Sequence, residues 1–567
     1  MPIWLWLIVL YAYSISGCAA SLNESISFCA TEAVSNKPIR PDSRWGNLAC
    51  EKEISVVAAL DEYEPASVVI RSNESRILTI SISDLASSDS VFSKNNIDIK
   101  YVKNWYQSET AWHDIRQKNK RSVLVPELLL NDESIIYVDD ERIKNYLKVS
   151  EAGEYSYKDI SSKTNIALKT QPTIKELPVV DAKSLQPLKI KKNTNQQVWL
   201  TFKIPVETLP GDYRGDLIID STEGELRVPV LLSVRPYKLM PAELSYSIYY
   251  RGVLAVDDIG TISSENKSKQ QMLQDFINMK AHGVENPTIY QPYWDVKGFE
   301  AVMELRSKAG FQSKDLYFLG ITTGNYGDDR DVEKRLKAFD KIRKIADRYE
   351  IETLYIYGID EADPDKIEGQ YPLWKKFNDK GAKIFVAAWR PDREELLGGK
   401  IDLLVNGVRH NNDMNKAFNL KGTKVYLYNR PQVGVENPLI YRNSYGFELW
   451  GNGFQGAMNY AYQHSFGNIW NDFDHKEFRD HVFAYPAVDK PIDTIAWEGF
   501  REGVDDIRYV STLRHSIATY HDQGSIKIKE AKDFLLKLKR ESSLSAKEKR
   551  AAIDKHIISL CCNGFEI

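Results

Sequence analysis

From about residue 20 to residue 236 the apolar positions follow a strand-like pattern. Ser55-Val56-Val57-Ala58-Ala59-Leu60 and Ala66-Ser67-Val68-Val69-Ile70 are short β-prone runs. Ile77-Leu78-Thr79-Ile80-Ser81-Ile82 alternates with period two, the mark of a half-buried strand. Gln197 to Ile204, Leu217 to Asp220 and Leu226 to Val234 continue the series, with turn signals at Pro210-Gly211 and Glu223-Gly224. No long helical stretch interrupts them, which predicts an antiparallel β-sandwich over 18–236. Pro236 to Pro241 reads as a linker.

Beyond Leu244 the pattern switches to strand–helix alternation. Eight candidate strands are Leu244–Tyr250, Pro287–Gln291, Asp315–Ile321, Thr353–Ile359, Lys383–Trp389, Asp402–Gly407, Lys424–Asn429 and Gln455–Tyr462. Between them lie helical stripes such as Leu273, Phe276, Ile277 and Lys280, or Leu336, Phe339, Ile342, Ile345 and Tyr349. Such stripes are packing faces rather than cofactor boxes. Eight βα units over 242–490 predict a (β/α)8 TIM barrel. An open doubly wound sheet is the alternative, but no glycine-rich turn follows the first strand as nucleotide binding would need. Residues 491–567 read as helical, with Ala531, Phe534, Leu535 and Leu538 at helix spacing.

Composition narrows the function class. The 567 residues are 43% hydrophobic and 27% charged, enough to bury large cores. A formal net charge of -4 argues against a nucleic-acid partner, which draws a basic excess. Aromatics reach 11%, with 31 Tyr and 12 Trp, a supply suited to stacking on sugar rings and also to β-rich packing. Pro2 to Ile15 is apolar or small, too short to span a bilayer comfortably but fitting a signal-peptide core over 1–17. It ends in Ile15-Ser16-Gly17-Cys18, which resembles the bacterial lipoprotein processing site. Cleavage before Cys18 and its lipidation would anchor the mature chain to a membrane at the cell envelope; the alternative is a plain secretory signal with Cys18 incidental. Cys29 and Cys50 can form a disulfide closing a short loop; the alternative is that they, Cys561 and Cys562 are all free. No Cys/His group has zinc-site spacing, so no metal or cofactor is expected.

In a barrel, chemistry sits at the C-terminal ends of the strands. The fourth candidate strand ends in Asp360-Glu361, the fifth in Trp389-Arg390, the seventh in Asn429-Arg430, and the eighth carries Asn459, Tyr460 and Tyr462. Acids, aromatics and forked donors on one rim are the inventory of a glycosidase cleft. Consecutive residues of a regular strand point to opposite faces, so both acids can share a cleft only if the backbone turns there, which Gly358 permits. An ordinary retaining glycosidase places its carboxylates on opposite sides of the sugar. A neighbouring pair suits a proton donor beside an acid that supports an internal nucleophile, the substrate's own 2-acetamido oxygen. The alternative is that Asp360 and Glu361, with Asp363, only cap the next helix.

Five segments in order carry a resemblance. They are Glu62-Tyr63-Glu64-Pro65-Ala66-Ser67, Gln197-Val198-Trp199-Leu200, Pro210-Gly211-Asp212-Tyr213-Arg214-Gly215, Tyr357-Gly358-Ile359-Asp360-Glu361, and Trp497 to Asp506. Together they resemble glycoside hydrolase family 123, the retaining β-N-acetylgalactosaminidases. The resemblance implies substrate-assisted hydrolysis, with Asp360 orienting the acetamido group and Glu361 as general acid and then base. It makes Asn429, Trp450, Tyr485 and Trp497 candidates for sugar contacts, and a glycan the partner. Relatives usually carry Pro after the acid pair, where this chain has Ala362, and are richer in Glu and Tyr around Asp505-Asp506-Ile507-Arg508-Tyr509. These departures bear on the sugar more than on the acid pair.

Other candidates are weaker. Asp472, Asp474 and His475 could bind a metal or simply form a polar loop. Asp257-Asp258 could face the cleft or begin a turn, and His410 stands alone. Two further readings remain beside the hydrolase: a non-catalytic glycan-binding surface protein, and a glycosidase with a covalent nucleophile acting on a sugar without an acetamido group.

Overall fold

The computed structural model describes residues 25–108, 121–151, 153–163, 168–324, 329–407, 411–475, 478–520 and 526–562. The expected signal segment 1–17, the candidate lipidation site Cys18 and His410 lie outside the described residues.

The alternating N-terminal runs fold into two facing sheets. One is ordered Ile26–Thr31, Glu62–Ser72, Asn195–Ile204, Ile97–Ser108, Ser122–Leu130, antiparallel throughout. The other is ordered Leu188–Ile190, Arg76–Ile82, Gly211–Ser221, Gly224–Lys238, Ile54–Leu60, with its last pair parallel. Period-two patterning sets which side chains turn inward: Leu78, Ile80 and Ile82 are buried while the residues between them are open. They meet Val68, Ile70, Leu200 and Phe202 of the facing sheet in one core. A disulfide joins Cys29 to Cys50 at the sheet edge, with their Cα atoms 4.8 Å apart. A three-stranded sheet, Ile136–Asp139, Lys144–Glu151 and Glu154–Asp159, buries Ile136, Leu147 and Val149 against Trp105, Trp470 and Tyr485.

The second half holds a curled parallel sheet. Its strands run in the order Ser245–Tyr250, Gly456–His464, Lys424–Leu427, Leu403–Asn406, Ala382–Ala388, Thr353–Tyr357, Asp315–Thr322. These are seven of the eight expected strands. The expected second strand, Pro287–Gln291, is instead an irregular segment with a single bridge from Ile289 to Phe318. Pro287 and Pro292 frame it and lack the N–H groups a ladder needs. Its backbone still touches both edges of the curled sheet: Thr288 N donates to Ile248 O at 3.0 Å, and Ile289 N to Tyr317 O at 2.9 Å. Phe339, Ile342 and Ile345 are buried as their spacing predicts. In helix Lys269–Ala281 the buried stripe is Met272, Phe276 and Met279, and Ile277 is exposed.

Three helices follow, Ile495–Thr519, Ile526–Leu538 and Ala546–Cys561. The first, 25 residues long, is buried on nearly every side. Thr494 caps it by accepting from Trp497 N. Gly499 and Gly503 give it a flat flank: a Cβ on Gly499 would lie 2.1 Å from Pro438 O, and one on Gly503 2.9 Å from Arg442 O. Helix Pro438–Tyr445 therefore packs backbone against backbone there. Buried charges tie the helix to both halves. Arg442 grips Asp506 with two bonds of 2.9 Å, Arg550 joins Asp506, Glu502 and Glu64, and Tyr509 donates to Glu62 at 2.9 Å. Burial raises Glu62, to about 8, against the opposing pull of Arg550.

Candidate active site

Strand Thr353–Tyr357 stops one residue before Gly358. A Cβ at Gly358 would lie 2.3 Å from Val386 Cγ2, so glycine is required there by space rather than by its dihedral angles. The backbone then turns out of the sheet. Glu361 adopts a left-handed conformation with φ 43°, a costly one for a non-glycine residue. Glu361 N donates to Ala387 O at 3.2 Å, which pins the turn to the neighbouring strand. The consequence is that consecutive acids, which would diverge on a strand, both open into one cavity of about 710 Å³. Neither caps the next helix. Asp363 is the N-cap of Pro364–Glu368, and its side chain is held by Arg393 at 2.7 Å.

Each acid has its own tyrosine. Tyr357 Oη donates to Asp360 Oδ1 at 2.5 Å, and Tyr428 Oη donates to Glu361 Oε1 at 2.7 Å. Among the described residues neither carboxylate has an ion-pair partner. Partial desolvation in the cavity raises Asp360, against the hydrogen bond from Tyr357. It also raises Glu361, opposed by Tyr428 and reinforced by the Asp360 charge. The wall is aromatic, with Tyr249, Tyr290 and Tyr460 beside Asp360, and His464 and His481 stacked 5.9 Å apart. Burial lowers these histidines to about 3 and about 4, so both are neutral near pH 7. Arg251 supplies a cation to the same wall, bound to Glu265. The arrangement offers a proton donor or acceptor, a second acid beside it, and flat faces for a ring.

The four expected sugar-contact residues lie elsewhere. Asn429 Nδ2 donates to Gly407 O at 3.2 Å, outside the cavity lining, while the preceding Tyr428 turns into the cavity. Trp450 is buried and donates to Glu243 at 2.7 Å. Tyr485 is buried between Trp105 and Trp470 and is bonded to Gln107 at 3.0 Å. Trp497 is fully buried in the long helix, stacked between His282 and Phe483. Tryptophan and tyrosine serve cores as readily as clefts, and here three of the four anchor packing. Tyr357 and Tyr428 are the functional candidates the sequence did not single out. Their signal was inward parity on strands that end at the rim.

The weaker candidates resolve into structural roles. Asp472 accepts from Ser108 N and Asp480 N and pairs with Arg479, Asp474 accepts from Asn468 N, and His475 accepts from Phe478 N. Asp257 and Asp258 accept from Ile259 N and Lys269 N, closing turns. Among the described residues one close group could ligate a metal, His282, Asp493 and Glu498. Glu498 there is bound by His282, Trp199 and Arg501, and the group lies away from the acid pair.

No family model matches the sequence, and no curated protein matches it either. Among solved structures, the chain is similar to a family 123 glycoside hydrolase from Clostridium perfringens described for glycolipid glycan hydrolysis. The identity is 13% and the TM-score 0.64, over 94% of this chain and 100% of that one. A Bacteroides uniformis β-glucuronidase aligns at 8% identity and TM-score 0.30, over 78% of this chain and 66% of that one. The first likeness spans both halves and shows that the two proteins share a fold.

Proposed function

We propose that the protein is a glycoside hydrolase that releases a terminal β-linked N-acetylgalactosamine, or a similar 2-acetamido sugar, with retention of configuration. The observation that carries this is the acid pair: two consecutive carboxyls open into one tyrosine-walled cavity at the C-terminal ends of a parallel sheet. The fold shared with the family 123 hydrolase supports it. In this reading the curled sheet is a (β/α)8 barrel whose second strand has become irregular.

Glu361, protonated, gives its proton to the glycosidic oxygen as the bond from C1 to that oxygen breaks. The acetamido carbonyl oxygen forms the new bond to C1, giving an oxazolinium ion, and Asp360 accepts the amide N–H and balances its charge. Water then attacks C1, Glu361 takes the water's proton, and the electron pair returns to the acetamido oxygen. Two consecutive carboxyls opening into one cavity suit this route better than a covalent one, which needs a pair flanking the sugar. A glycan of the glycolipid type is the substrate class we favour, by likeness to the neighbour.

We also propose that Cys18 carries lipid after removal of residues 1–17 and anchors the protein to a bacterial membrane at the cell envelope. The boundaries 18–236, 242–490 and 491–567 are kept as its folding regions. A panel of chromogenic β-glycosides tests the activity. Turnover confined to 2-acetamido sugars, blocked by a thiazoline analogue of the oxazolinium ion, is the expected result. A panel left intact by the wild type would overturn it and favour a glycan-binding protein; covalent labelling of a carboxylate by a fluorosugar would favour the covalent route.

A further inference from the structure

The two acids face different walls of the cavity. Asp360 lies toward strands Ser245–Tyr250 and Gly456–His464. Burial raises the hydroxyls of Tyr249, Tyr290 and Tyr460, and the Asp360 charge adds to that effect at each. Glu361 lies toward strands Lys424–Leu427 and Ala382–Ala388. Tyr428 binds its carboxylate at 2.7 Å, and Arg393 Nη1 donates to its backbone carbonyl at 3.3 Å. A general acid must reach the glycosidic oxygen, so the departing group leaves on the Glu361 side.

Trp389 stands on that side, directly after strand Ala382–Ala388. It is 48% exposed. Three neighbours fix its place. Gly407 lies between Trp389 and Tyr428: a Cβ there would come 2.9 Å from Trp389 Cβ and 2.7 Å from the Tyr428 ring. Buried Arg393, which holds the Glu361 carbonyl, places its guanidinium carbon 5.9 Å from the Trp389 ring centre. Exposed Arg390 places its own at 5.9 Å as well. Trp389 is thus linked to Glu361 by two routes, through Arg393 alone and through Gly407 and Tyr428 in turn, and it still offers about half its surface to solvent.

We infer that Trp389 forms the leaving-group subsite, stacking on the apolar face of the sugar that departs when the bond is cut, with Arg390 beside it to donate to that sugar's hydroxyls. The inference rests on the hydrolase reading above and deepens it: the enzyme is built for a sugar on both sides of the scissile bond. Contact with the departing sugar contributes to the transition state only for substrates that carry one.

The test compares two substrates, a β-linked N-acetylgalactosaminyl-galactose disaccharide and N-acetyl-β-galactosaminyl fluoride, whose leaving group cannot reach Trp389. For Trp389→Ala, the ratio of kcat/KM on the disaccharide to that on the fluoride should fall about tenfold, the scale of one lost aromatic stack. Trp389→Phe should restore most of the ratio, and both variants should keep the wild-type Tm. A ratio unchanged in Trp389→Ala would overturn the subsite while leaving the hydrolase standing. A wild type that cleaves neither substrate would overturn the hydrolase reading, and the subsite with it.

Discussion

Tyr428 Oη lies 2.7 Å from Glu361 Oε1 and donates to it across the gap between two strands that are not neighbours in the sheet. A hydrogen bond to the charged form of an acid favours ionisation, so Tyr428 opposes the rise that desolvation imposes on Glu361. Removing the hydroxyl in Tyr428→Phe lets that rise go further. Glu361 then keeps its proton to higher pH, and the alkaline limb of the kcat profile should move upward in pH, with a loss in kcat of about tenfold from poorer positioning. A pH–rate profile of the variant measures both. A limb that stays in place, or moves to lower pH, would contradict this role.

The two acids should fail in different ways. On the proposed mechanism Glu361→Gln removes the proton donor, so its loss, about 10² to 10⁴-fold, should be largest on a disaccharide and much smaller on an aryl glycoside whose phenolate leaves unaided. Asp360→Asn should lose activity on both, because the acetamido group must be oriented whatever departs. Steady-state rates on the two substrates separate the cases. Equal losses across both substrates in Glu361→Gln would remove it as the acid.

Much of this site was legible before any coordinates. The rule that barrel chemistry sits where strands stop pointed to Asp360-Glu361, and the need for a turn there is met by the left-handed Glu361. The partners were not legible for a plain geometric reason. Side chains alternate along a strand, so choosing Asn429 in place of Tyr428 picks the opposite face. Trp497 and Tyr485, candidates through the family resemblance, lie buried in packing, because an aromatic ring serves a core as readily as a cleft wall. The segment around Trp497 proves to be helical packing, with Gly499 and Gly503 set where another backbone passes. The second strand was expected because an apolar pattern signals burial, while Pro287 and Pro292 limited its ladder to one bridge.

Those two glycines give a stability prediction. Alanine is the better helix former by up to about 1 kcal/mol, which alone would stabilise Gly499→Ala. The new methyl would meet backbone at 2.1 Å, and backbone cannot swing aside. Overpacking of that kind costs about 1–3 kcal/mol, so the clash wins and Tm should fall by about one to two degrees in a chain of this length. Differential scanning calorimetry decides it; a variant as stable as the wild type would show that helix Pro438–Tyr445 yields freely.

The stacked histidines set an acid limit. His464 and His481 are held at about 3 and about 4, below the ordinary 6.5. Between pH 6.5 and 4 the unfolded chain therefore binds protons at these positions that the folded chain refuses, and stability drops as pH falls through that window. It is fully present above pH 6.5. His464→Gln with His481→Gln should flatten the fall in Tm between pH 6.5 and 4, relative to the wild type. Parallel Tm curves for the two proteins would refute the assignment.

The helix Ile495–Thr519 has a bearing on how the molecule comes apart. Its Glu498 takes a proton-donating contact from Trp199 on the sandwich, and its Asp506 shares Arg550 with Glu64 of the same sandwich. Stripping away the first two hundred residues would leave anionic side chains facing solvent or one another along a surface shaped to be dry. The N-terminal half is thus no optional accessory to the half that holds the acid pair: heat or denaturant should melt both in a single cooperative event, and neither should be portable to another host protein alone.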